Sequence, residues 1–130
     1  MKYTKEEIVA FRLEKTERDL QSAKALAKVN SWDGVVNRLY YAAFHVVSSL
    51  LEYNDIKHRS HSGAKAMLEL HYVKTAKLST EWGDFYTHLF NERNDSDYED
   101  FAIFTEEDVA PLIPQTEEFI KVISTLIRQE

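Results

Sequence analysis

No cysteine occurs in the 130 residues, and there are only 3 glycines and 2 prolines. The first absence excludes a disulfide scaffold and thiolate metal sites, and it fits a reducing compartment. The second argues against a sheet protein, which needs a turn every ten residues or so, and leaves a few long helices joined by short links. Long apolar runs are missing too. Nothing approaches the ~18 residues of a membrane span, and the N-terminal "MKYTKEEIVAFRLEKTERDL" is charged throughout, unlike a secretion signal. A cytoplasmic protein with no membrane partner is expected. Basic residues number 16 against 22 acidic, a formal charge of −6, so the molecule as a whole repels nucleic acid and any phosphate contact must come from a local patch. What the chain does have is 44% hydrophobic residues at a length suited to one core and too short for two. The composition predicts a single all-α domain over residues 1–130.

Thr4 to Glu7 reads as a capping box that starts a helix, followed by the stripe Val9, Leu13, Thr16, Leu20, Ala23 and Ala27. Ser31 or Asn30 can cap a second helix from about Trp32 to Tyr53. Its stretch "VVNRLYYAAFHVVSSLLEY" is apolar almost all round, which predicts a central position and makes Asn37, Arg38, His45 and the two serines informative. Ser60 or Ser62 can cap a short third helix with Ala64, Met67, Leu68 and His71 on one side. A fourth begins at Ser79 or Thr80, carries Trp82, Phe85, Tyr86, Leu89 and Phe90, and ends near Arg93. Thr105 with Asp108 marks a last start, and the stripe from Val109 to Ile127 is the strongest helical pattern in the chain. Pro111 and Pro114 inside its first turns predict an irregular or kinked beginning. The architecture expected is an up-and-down bundle of four to five helices.

The order of these elements, "NRLYYAAFHVVSSLLE", then "SHSGAKAM", then an arginine closely followed by "SDYEDF", then an amphipathic C-terminal helix, resembles the HEPN domain family of prokaryotic helical bundles. The resemblance runs from about Trp32 to the C-terminus and takes the variant form Arg-Asn-x-Ser-Asp-Tyr at Arg93 to Tyr98. It implies a homodimer, a partnership with a minimal nucleotidyltransferase in a toxin–antitoxin or defence-type system, and, in active members, metal-independent RNase activity. The family motif is an arginine and a polar residue, with a histidine four to six positions further on. Arg93 and Asn94 match its first half, whereas Tyr98, Glu99 and Asp100 stand where the histidine belongs, and none follows Arg93. Cleavage through a 2′-hydroxyl needs a group that exchanges protons near neutrality and a fixed cation for the phosphate. A tyrosine with a pKa near ~10 serves poorly as that base.

Arg93 lies in helical register with Trp82, Tyr86 and Leu89, so it faces a groove or interface, or it clamps Asp97 to close the helix end. Arg38, Tyr41 and His45 are spaced three and four, one row along the second helix. That row is either the wall of a nucleotide or RNA cleft, with His45 supplying the missing imidazole, or a buried hydrogen-bond row that sets helix packing. "KHRSHSGAK" gathers Lys57, His58, Arg59, His61 and Lys65 at a helix start, either a phosphate-facing patch or a solvated loop balancing nearby acids. His61 resembles a recurrent histidine of the subfamily. For Tyr98 three roles stay open: an anchor, a stacking surface for a base, or, by analogy with tyrosines near this motif, an acceptor for nucleotide transfer. Asp95, Asp97, Glu99 and Glu106 fall on calcium-loop positions, but Asp100 stands where such a loop needs glycine, and the histidines show no HExxH-like pairing. No metal or cofactor is expected.

Three functions compete on this basis. The first is a dimeric HEPN-type module that binds nucleotide, single-stranded RNA or a nucleotidyltransferase, with Arg93, Asn94, Tyr98, Arg38, Tyr41 and Arg59 as binding residues. The second is a metal-independent endoribonuclease in which His45 or His61 works with Arg93. The third is a purely structural helical adaptor. The motive for a dimer from the residues themselves is the apolar surplus of the second and last helices.

Overall fold

A computed structural model describes residues 2–98 and 102–128. The described chain forms α1 (Lys5–Lys28), α2 (Trp32–Tyr53), α3 (His61–Leu68), α4 (Thr80–Tyr98), the four-residue α5 (Glu106–Val109) and α6 (Leu112–Arg128). It has no strand among the described residues, so the fold is an all-α bundle. α1 starts at the expected capping box: the Thr4 hydroxyl accepts from the Glu7 amide, and the Glu7 carboxylate accepts from the Thr4 amide. Its end is set by Asn30, which takes a left-handed φ of 59° while the Ser31 amide donates to Leu26 O. Asn30 therefore terminates α1, and Ser31 stands at the start of α2. A side chain at Gly34 would press on Leu26 and Ser31, and its absence lets the two helices meet closely at the turn.

α2 sits at the centre, packed against α1, α3, α4, α5 and α6. Val35, Val36, Leu39, Tyr40, Ala42, Ala43, Val46, Val47, Leu50 and Leu51 are wholly buried within the one chain. The apolar surplus on α2 is thus absorbed by its own neighbours and needs no second copy. Contacts of Lys5 with Asp55, Arg12 with Glu52 and Asp19 with Arg38 show that α1 runs antiparallel to α2. Contacts of Tyr41 with Arg93 and Asn37 with Asp97 show the same for α4.

Three local departures from the sequence expectation have physical causes. A π turn at Glu69–Val73 follows α3, so the register shifts, His71 faces solvent and Tyr72 is buried in the place the stripe gave to His71. α4 does not end near Arg93. It continues to Tyr98 because its polar last turn is held from α2, through Asn37 to Asp97 and Ser96 to the Asp33 carbonyl. Of the turn expected from "SDYEDF", Ser96, Asp97 and Tyr98 are helical, and Glu99, Asp100 and Phe101 lie outside the described residues. Third, the irregular start predicted from the prolines is a full break at Pro111, since α5 stops at Val109 and α6 begins at Leu112, whereas Pro114 lies within the first turn of α6.

Phe119 of α6 is fully buried against Tyr86, with parallel rings 5.7 Å apart, and touches Trp82 and Phe85. Phe119→Ala should cost about 3–5 kcal/mol, read as a fall in the urea midpoint at unchanged m-value. A loss below about 1 kcal/mol would show that α6 is not docked on α4 in this way.

Candidate nucleotide and RNA site

Arg93 is drawn inward, with its side chain only 14% exposed. One terminal nitrogen donates to the Tyr41 hydroxyl at 2.9 Å and the other to Asn94 Oδ1 at 3.3 Å. Its Nε lies 2.9 Å from Asp97 Oδ2, but too bent for a hydrogen bond, so that contact is Coulombic. The guanidinium also lies 5.3 Å from the centre of the Tyr41 ring and 5.7 Å from that of Tyr40. The clamp expected between Arg93 and Asp97 therefore exists, together with a link from Arg93 into the row on α2.

That row is intact. Arg38 stacks over Tyr41 at 5.0 Å, donates to Asp19 Oδ1 at 2.8 Å, and holds Asn37 Oδ1 at 3.0 and 2.6 Å. His45 Nε2 lies 3.4 Å from the other oxygen of Asp19. Asn37 completes the circuit by donating to Asp97 at 3.4 Å. Asp19, Arg38, Asn37, Asp97, Arg93 and Tyr41 thus form one connected chain across α1, α2 and α4.

His61 reaches the same place from α3. Its Nδ1 is 2.9 Å from the Tyr40 hydroxyl, and its ring lies 4.2 Å from that of Phe44. Burial, and then the Arg93 charge, lowers its pKa below 6.5. His45 is lowered as well, chiefly by burial and against the pull of Asp19. The Tyr40 phenol is pushed up to about 12, first by burial. Tyr40 is thus protonated at any physiological pH and can orient an imidazole without exchanging its own proton.

Two adjoining depressions run along this face, of about 440 and 330 Å³, and share Lys15 and His45. The first is lined by Lys15, Arg18, Asp19, Ser22, Arg38, Tyr41 and His45. The second brings Arg59 and His61 to the same groove. Lys15, Arg18 and Arg59 make no ion pair among the described residues. Sequence reasoning missed the contribution of α1. Lys15, Arg18 and Ser22 are spaced three and four, the mirror of Arg38, Tyr41 and His45, and in an antiparallel hairpin two such rows line one groove.

Tyr98 lies apart, 74% exposed at the end of α4, so the anchor role is not the one it plays. His58 is turned to structure, with Nε2 2.9 Å from Ser48 Oγ and Nδ1 3.4 Å from the Ile56 carbonyl. Among the described residues no three metal-ligating side chains gather, and no helix is long and apolar enough to cross a membrane.

Both lowered histidines bind protons less readily when folded than an unfolded histidine near 6.5. The unfolded chain therefore takes up more protons as the medium acidifies. The stability linked to them is fully present above pH 6.5 and is lost as the pH falls from there through the lowered folded values. Urea midpoints should fall between about pH 7.5 and about pH 5.5, and the His45→Gln, His61→Gln double variant should lose much of that slope. An unchanged slope would place both imidazoles in water.

The model of the HEPN domain matches residues 9–126 of this chain. The chain is 37% identical over 123 residues to a "UPF0332 protein" of Thermotoga maritima, a match spanning 95% of this chain and 93% of that protein. It is 30% identical over 125 residues to "Putative toxin MJ0605" of Methanocaldococcus jannaschii, covering 96% and 92% of the two chains. "Putative toxin MJ0142" of the same organism is 31% identical over 87 residues, which are 67% of this chain and 59% of that protein.

Proposed function

The chain belongs to the HEPN domain family, and on that premise we propose that it is the toxin-like half of a toxin–antitoxin pair, a module that holds single-stranded RNA or nucleotide in the groove between α1 and α2. The relatives named as toxins support the setting. The carrying observation is that Lys15, Arg18 and Arg59 line one groove with no acid paired to any of them among the described residues, in a protein of net charge −6. Unpaired cations placed against an overall negative field keep their charge for a ligand's phosphates. Tyr41 and Phe44 add ring faces on which bases stack. Arg93, Asn94 and Arg38 organise the floor. A minimal nucleotidyltransferase and a second copy of the chain are the protein partners proposed, with Tyr98 presented outward for the former. Fluorescence anisotropy with a labelled decamer RNA should show a log affinity that falls with log salt at a slope of about −2, near −0.7 per phosphate neutralised. Arg18→Ala should remove about 0.7 of that slope. An absence of binding at low salt would end this reading.

A second reading rests on His61. Its Tyr40 bond leaves Nε2 without a partner among the described residues, and Arg93 is close enough to bias its proton. In the tautomer that donates Nδ1–H to the Tyr40 hydroxyl, Nε2 keeps its lone pair, and the second reading is an EDTA-resistant endoribonuclease with His61 as base, in place of the imidazole the motif lacks after Arg93, and Arg93 as phosphate clamp. On a denaturing gel, wild type should then cut single-stranded RNA in EDTA. Arg93→Ala and His61→Gln should lose at least about 100-fold, and His45→Gln should stay active. Retained cutting in His61→Gln would refute this second reading, and intact RNA with wild type would leave the binding module alone.

A further inference from the structure

We propose that the smaller depression of the groove is a pocket for a terminal phosphate monoester of RNA, an assignment that rests on the groove being an RNA site. The smaller depression, about 330 Å³, collects Lys15 and Arg59, the two cations there without an ion pair, together with Phe44 and His61. The remaining polar groups of the pocket are already engaged. Both nitrogens of His58 are taken, by Ser48 and by the Ile56 carbonyl, and Arg12 is held 3.1 Å from Glu52. His61 has one nitrogen on Tyr40 and the other available to an oxygen of the ligand. The pocket thus offers two fixed positive charges and one imidazole nitrogen.

Charge explains why the phosphate there is terminal. An internal phosphodiester carries one negative charge, whereas a monoester with a second pKa near ~6 carries close to two at neutral pH, the number that Lys15 and Arg59 match. Beyond Arg12 the next depression is lined by Glu52 and Asp55 together with Lys57, His58 and Arg59, and both acids are already paired, Glu52 with Arg12 and Asp55 with Lys5. On the other side the cationic run continues through Arg18 and Arg38, where the rest of a strand has room. A strand that ends in the pocket meets attraction along its whole length.

The test compares three decamer RNAs of one sequence, carrying a 5′-phosphate, a 3′-phosphate or hydroxyls at both ends, against wild type and the Lys15→Ala, Arg59→Ala double variant. Both side chains reach solvent, and circular dichroism checks that the variant is folded. Wild type should prefer one phosphorylated end over the hydroxyl RNA by about tenfold, and the double variant should lose that preference. Equal affinity for all three RNAs would overturn the pocket and leave the groove standing. Inorganic phosphate, followed by thermal melting, separates the two ideas further. Stabilisation by phosphate that vanishes in the double variant, with no RNA bound, shows an anion site at Lys15 and Arg59 but overturns its assignment to RNA along with the groove reading. No RNA bound and no effect of phosphate overturns both.

Discussion

A helix that reads VVNRLYYAAFHVVSSLLEY has no side it can leave in water, and covering it all round is the constraint from which the other helices take their places. α1 folds back on it through a three-residue turn, α4 and α6 close other sides, and α3 meets it at Tyr40, Tyr41 and Phe44. The few polar side chains on α2 then become the points at which the cover must be polar too. Arg38 and His45 meet Asp19 of α1, Tyr41 meets Arg93 of α4, and Tyr40 meets His61 of α3. The groove lies along this line because that is where the surrounding helices carry charge.

Asp19 is the hinge of the local electrostatics. A single, mostly buried carboxylate is shared by Arg38 and His45, so the one acid that lines the groove among the described residues is spent within the protein. Arg93 is treated differently. Asp97 and Tyr41 hold it in place, and its guanidinium carbon lies 5.3 and 5.7 Å from the centres of two phenol rings. A guanidinium held this way is pre-oriented for a phosphate, and it also ties α4 to α2. The contacts that hold Arg93 are therefore the contacts that fix α4 on α2.

The fold was largely legible because it depends on local signals. The capping box at Thr4, the caps at Ser60 and Thr105, and the apolar stripes of α2 and α6 are each written in a few consecutive residues. Where tertiary contacts decided, the sequence was silent: the last turn of α4 depends on Asn37 and Asp33, and the π turn after α3 moves Tyr72 into the place expected for His71. The site divides in the same way. The row of Arg38, Tyr41 and His45 follows from helical spacing, and Arg93 and His61 from a family resemblance. The share of Lys15, Arg18 and Asp19 was hidden, because α1 carries charge on several faces and only its antiparallel docking selects which of them meets α2. Position 98 was overweighted. Its place in the motif gave it several roles, and its side chain is 74% exposed at the end of α4.

Location is the central claim, and ultraviolet cross-linking of a bound single-stranded RNA followed by mass spectrometry of the cross-linked peptides tests it directly. The account places the cross-links on the α2 peptide containing Tyr41 and Phe44, between the cationic residues of α1 and the start of α3. Cross-links confined to the end of α4 at Tyr98, or to α6, would contradict it and move the site to the opposite side of the Arg93 clamp.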